Sequence, residues 1–220
     1  MASLICIPFG LMLGWPCPTY PELLKLTSPI PINIDQSAMI AGFLMIGNTL
    51  GTPFSLKTCF GSKYGMTLSI GLMACGWCIM WQARNIYWLL GSRFLVGLAN
   101  GYGLGQLKTY IREMTEDNTT LLLKQINLHT FFGVIVIFAY GPFVEIKNIA
   151  SIALIITIII LFLIILLPST PMELIKANKI KDAKKLLIFL KPEINASSEI
   201  HKISQNINII SNEYGFTHIF

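Results

Sequence analysis

The chain has 220 residues, of which 54% are apolar and 12% charged, and its mean hydropathy is +0.65. A soluble domain carries about 25% charged residues, so the composition excludes an ordinary soluble globule. The net charge of +5 comes without any aromatic-plus-basic motif, which suits a place beside a membrane surface and gives no sign of nucleic-acid binding.

A bilayer core of about 30 Å takes roughly 20 apolar residues as a helix. Six windows fit or nearly fit, at 1–20, 37–56, 64–82, 86–107, 125–144 and 149–167. The first contains Pro8 and Pro16; a cleaved signal peptide is the rival reading, but a basic leading segment is missing. The sixth, IASIALIITIIILFLIILL, is apolar almost throughout. Residues 172–220 hold 12 of the 27 Asp, Glu, Lys and Arg. The expected fold class is therefore an all-α membrane protein, with a six-span domain at 1–168 and a helical tail at 169–220.

Orientation follows the lysines and arginines between spans. One side holds Lys57, Lys63, Lys108, Arg112, Lys124, Lys176, Lys179, Lys181, Lys184 and Lys185; the other holds Lys25, Arg84 and Lys147. That bias places the tail, and by six-span parity the N-terminus, in the cytoplasm. Trp15, Trp81 and Trp88 fall near outer ends and are expected to anchor at the interface. In the tail, Thr170, Pro171 and Glu173 form a capping box with proline at the first helical position. A second tail helix is expected with Ile180, Ala183, Leu187 and Leu190 on one face, and a third through Ile200, Ile203, Ile207 and Ile210.

Two features are costly in lipid and so are informative. Gly97, Gly101 and Gly105 recur on one face of the fourth span, and Gly47 and Gly51 do so on the second; such spacing lets membrane helices approach closely, and also permits rocking motions. Arg93 lies in the fourth span with no Asp or Glu in the other five, so it either faces a cavity or partner or snorkels to the interface. Asn48, Asn100, Gln106, Asn127 and His129 are the other polar side chains in spans. Singly they are hydrogen-bonding glue between helices; together they can line a cavity for hydroxyl groups. CGWC at 75–78 looks like a redox motif, but a membrane interior raises a thiol pKa and speaks against that role. The sequons at Asn118 and Asn195 fall on the expected cytoplasmic side and should be silent. No triad, phosphate loop or metal-ligand spacing appears, so no enzyme, cofactor or metal is expected.

Several stretches together resemble the N-terminal half of a major facilitator superfamily sugar porter, in the style of insect facilitated trehalose and hexose transporters. They are GLMLGWPCPTYPEL, GTPFSLKTCFGSKYG, GSRFLVGLANG, YIREM and LLPSTPMELIKANKIKDAKKLLIFLKP, in order along almost the whole chain. The resemblance implies a six-span half of a major facilitator fold, a sugar substrate, a midplane site shared with a second six-span half, and the plasma membrane. It places a fifth-span sugar-binding amide near Asn127, beside the candidates Asn48 and Gln106. It matches Gly51, Arg93, Gly97, Gly101 and Glu113 to the family's pattern, and these, with Gly47 and Gly105 from the spacing, are the candidates for packing or gating roles. The chain departs from the pattern at Thr58, Cys59, Ser62, Asn118–Thr120 and Ser169, where the family carries latch charges. Lack of an intramembrane acid favours uniport over proton coupling. The alternative is a truncated, non-transporting remnant or a membrane interaction subunit.

Overall fold

Prolines divide the first predicted span. The computed structural model describes residues 2–56, 61–114, 119–177 and 179–190. A 3-10 turn at Ala2–Ile5 leads into α1 (Cys6–Gly14) and α2 (Pro16–Leu23). Pro16 and Pro18 have no N–H to give the carbonyls of Met12 and Gly14, four residues back. The Thr19 hydroxyl bonds the Trp15 carbonyl at 2.6 Å across the break. Ile5, Cys6, Phe9, Leu11 and Met12 are nonetheless in the core. The segment is thus built into the bundle, against the signal-peptide reading.

Five longer helices follow: α3 (Ile34–Leu56), α4 (Ser62–Trp81), α5 (Ile86–Met114), α6 (Thr119–Tyr140) and α7 (Ile146–Ile165). With 20 to 29 residues each, they measure about 30–44 Å at roughly 1.5 Å per residue. Among the described residues, Ser62–Trp81, Lys124–Phe143 and Ile146–Ile165 are long and apolar enough to cross a membrane by themselves. α3 and α5 have the length, but Gly, Asn, Thr and Ser dilute their apolarity. Many of the small and polar residues, Gly47, Gly51, Gly97, Asn100, Gly101, Gly105 and Gln106 among them, pack against neighbouring helices, so apolarity alone under-reports these two helices.

Close contacts fix the helix directions. A Cβ on Gly97 would strike Leu44, one on Gly101 would strike Asn48, and one on Gly105 would strike Ser55. α3 and α5 therefore run parallel. α1 and α6 also run parallel, because Gly10 lies against Thr130 and Gly133 while Gly14 lies against Ile137. α4 runs opposite to α5, with Gly65 at Gln106 and Gly76 at Val96. This alternation brings Lys25, Arg84 and Lys147 to the end where α4 finishes and α5 and α7 begin. Lys63, Lys108, Arg112 and Lys124 gather at the opposite end. The outward faces are apolar: Leu128, Phe131, Phe132, Ile135 and Phe138 on α6, and Ile155, Ile158, Ile159 and Phe162 on α7, are exposed. Water would penalise such a surface heavily; lipid does not.

The tail begins as expected. α8 (Pro171–Lys176) carries the full capping box, with the Thr170 hydroxyl accepting from the Glu173 amide and the Glu173 carboxylate accepting from the Thr170 amide. α9 (Ile180–Leu190) packs on α8. On the expected apolar face Ala183 is buried, whereas Ile180 is half exposed. The third tail helix and both sequons lie outside the described residues.

Candidate functional site

Arg93 sits on α5 and is 1% exposed, so it does not snorkel. Its guanidinium stacks over the Trp15 ring at 3.8 Å, with Trp77 on α4 at 5.8 Å. Nη1 donates to the Met12 carbonyl at 3.3 Å, and Nη2 approaches the Met80 sulfur at 3.6 Å. Met12 is the residue whose carbonyl Pro16 leaves without a helical donor. An uncapped carbonyl in lipid costs several kcal/mol, and Arg93 supplies the missing hydrogen bond from a neighbouring helix. Two indole faces then cover the charge, each able to contribute about 2 kcal/mol when desolvated. A carboxylate is not needed to explain this arginine.

This geometry corrects the expectation for Trp15. It is fully buried, not an interfacial anchor, because the kinked first span turns it onto Arg93. Trp81 and Trp88 are 46% and 43% exposed, as an interfacial anchor has to be. Nothing in the sequence pattern alone singles out Trp77 except its spacing of four from Trp81. The CGWC cysteines lie inside α4, not at the exposed helix start that redox chemistry uses.

The α3–α5 seam carries the amides. The Asn100 Nδ2 donates to the Asn48 Oδ1 at 2.9 Å, and the Asn100 Oδ1 is buried with no hydrogen-bond partner among the described residues. Asn48 is half buried. Its backbone carbonyl faces Gly101 and accepts from the Thr52 hydroxyl at 3.0 Å. Gln106 is buried and its Nε2 donates to the Ser55 carbonyl at 2.9 Å, filling the notch left by Gly65. Asn127 stands apart on α6 with its side chain exposed. His129 Nδ1 is 2.7 Å from the Gln125 carbonyl within the same helix. The structure thus joins Asn48, Asn100, Gln106 and the glycines in one seam, and leaves Asn127 outside it.

Glu113 closes the opposite end of α5. Its Oε2 accepts from the Ser62 hydroxyl at 2.8 Å, and Glu173 Oε1 accepts from the Lys63 amide at 2.7 Å. Both carboxylates therefore sit at the N-terminus of α4, where the helix dipole favours negative charge. The Tyr110 hydroxyl donates to the Pro168 carbonyl at 3.0 Å, tying α5 to the tail.

Burial pushes the Glu173 carboxyl above its ordinary range. Glu113 adds to the effect, while the Lys63 and Thr170 amides and the Lys63 ammonium oppose it. A folded-state pKa above the unfolded one means that the folded state holds the proton more firmly. The stability this group contributes is present at low pH and is lost as pH rises from the ordinary carboxylate range through the raised value. The Lys63 amide should accordingly exchange more slowly on the acid side of the Glu173 titration than on its alkaline side, after correction for intrinsic exchange. Glu173→Gln should remove that difference; a difference that persists would assign it elsewhere.

The bundle matches the major facilitator fold. It aligns with an inward-open xylose transporter XylE from E. coli at a TM-score of 0.75 and 14% identity, covering 94% of this chain and 54% of that one. A structure described as the proton:xylose symporter XylE bound to 6-bromo-6-deoxy-D-glucose gives 0.77 and 16%, over 97% of this chain and 53% of that one. At such identities the likeness concerns the fold. In sequence, residues 28–218 match the family described as sugar (and other) transporter. The chain belongs to that family and is an integral membrane protein.

Among relatives, "Sugar transporter ERD6-like 12" of Arabidopsis thaliana is 27% identical over 92% of this chain and 46% of its own length. "Facilitated glucose transporter member 8" of solute carrier family 2 in Bos taurus is 26% identical over 86% and 40% respectively. "Facilitated trehalose transporter Tret1" of Apis mellifera ligustica is 27% identical over 96% and 44%. The chain thus spans less than half the length of these relatives.

Proposed function

We propose that the chain is the N-terminal six-span half of a sugar carrier that works by facilitated, alternating-access transport. The broken α1–α2 segment counts as the first span and α3 to α7 as the other five. Residues 169–220 form the cytoplasmic tail, and both termini face the cytoplasm of a plasma-membrane protein. The observation that carries the reading is the match of residues 28–218 to the sugar transporter family. A six-span bundle presents one wall of a midplane site. The other wall comes from a second six-span half, whether in further sequence or in another chain.

The substrate of this reading is a hexose or a trehalose-like sugar. Asn48, with the unpartnered Asn100 oxygen beside it, and the exposed Asn127 offer the donors and acceptors that sugar hydroxyls need. Gln106 keeps α3 and α5 in register. The Arg93 environment contains Met12, Trp15, Trp77 and Met80 rather than an acid, which supports uniport.

The test is uptake of labelled glucose and trehalose into proteoliposomes holding this chain with a complementary six-span half. Saturable uptake, unaffected by a pH gradient, is expected. Uptake no faster than in empty vesicles for every sugar tried would reject the proposal.

A further inference from the structure

A second candidate site lies away from the amide seam, at the end where α4 finishes and α5 and α7 begin. A cavity of about 300 Å³ is lined there by Trp81, Gln82, Ala83, Arg84, Trp88 and Lys147, a volume at the small end of ligand pockets. Two cations face it and no carboxylate lines it. Glu145, the acid nearest in sequence, is exposed and is not part of the lining. The ion pair found among the described residues joins Lys25 to Glu22 instead.

The structure around the cavity bears on what it can hold. Trp88 lies in the first turn of α5, where the Asn85 Oδ1 accepts its amide at 3.2 Å, and Lys147 lies in the first turn of α7. Two long helices thus begin beside the cavity, α5 with its first turn capped by Asn85 and α7 with Glu145 at its N-cap, and the cations at those starts, Arg84 and Lys147, are the charges that line it. The finishing end of α4 closes on its own turn, with the carbonyls of Cys78 and Met80 accepting from the amides of Gln82 and Ala83. Trp81 and Trp88 are both half exposed, giving amphipathic walls at the level where headgroups meet acyl chains.

We infer that this cavity binds a phosphoryl group through Arg84 and Lys147, with the two tryptophans flanking it. The inference needs the chain to be in a membrane but is independent of which solute it carries, so failed sugar uptake would leave it standing. Phospholipid headgroups and free phosphate share the chemistry and are separated by the test.

The full chain in neutral detergent would be titrated with dihexanoyl-phosphatidylglycerol, inorganic phosphate and uncharged dihexanoylglycerol, reading tryptophan fluorescence. Trp15 and Trp77 are fully buried, so Trp81 and Trp88 dominate any ligand response. A saturable change with the phospholipid, weakened about tenfold in the Arg84→Gln/Lys147→Gln variant and unchanged in Lys25→Gln, supports a headgroup site. The same saturation with inorganic phosphate supports the site with a free anion as its ligand. No saturable response to either phosphate would overturn the inference. So would equal affinity in the double variant, or equal weakening in Lys25→Gln.

Discussion

Arg93→Ala is expected to lower the unfolding free energy by about 3–5 kcal/mol, the range for removing a large buried side chain. The guanidinium fills the space between Trp15 and Trp77, and it is the donor to the Met12 carbonyl. Part of the loss is a cavity and part is an orphaned acceptor, about 1–3 kcal/mol. The two parts separate in a double-mutant cycle. Pro16→Ala returns an N–H four residues after Met12, so in that background Arg93→Ala should cost about 1–2 kcal/mol less. Titrated unfolding in mixed micelles measures all four proteins. Strict additivity would show that the arginine does not serve the proline break.

Substitution in the α3–α5 seam should be nearly as damaging. An added Cβ at Gly101 would run into the Asn48 carbonyl oxygen and lie 3.0 Å from the Thr52 nitrogen. Backbone cannot step aside as a flexible side chain can, so Gly101→Ala should cost about 1–3 kcal/mol through overpacking. It should also disturb the Asn100–Asn48 bond one residue away. Gly91, on the same helix, faces open space, and a Cβ added there would meet nothing within 4 Å. Gly91→Ala should therefore be neutral or stabilising by up to about 1 kcal/mol, from helix propensity. Equal effects at the two positions, read by the same unfolding titration, would mean that close approach is not what Gly101 provides.

The sequence made the helices legible because lipid imposes simple demands. Runs of apolar residues located α4, α6 and α7, and glycines at intervals of four marked the α3–α5 seam. The capping box at Thr170 and Glu173 was visible because it is local chemistry with fixed spacing. Contacts between distant segments were another matter. That Pro16 creates a need met by Arg93 requires knowing that α1 lies beside α5, and no local spacing reveals it. Trp15 was misplaced for the same reason: a tryptophan near a span end looks interfacial until a kink directs it inward. Gly10 and Gly133 form a second close contact, between α1 and α6. The pairing was hidden because Gly133 has no companion four residues away, although Gly10 and Gly14 carried half of the signal. Among the candidate binding residues, Asn48 and Gln106 proved to be bonded within one seam, while Asn127 lies on another helix. Side-chain type alone does not separate glue from lining.

The arrangement of the two ends bears on everything else, and single-cysteine labelling in a cysteine-free background tests it most directly. An impermeant maleimide applied to intact cells should modify Lys147→Cys, while Lys184→Cys should react only after permeabilisation. Ready labelling of Lys184→Cys from outside, with Lys147→Cys protected, would contradict a six-span half whose basic tail lies in the cytoplasm.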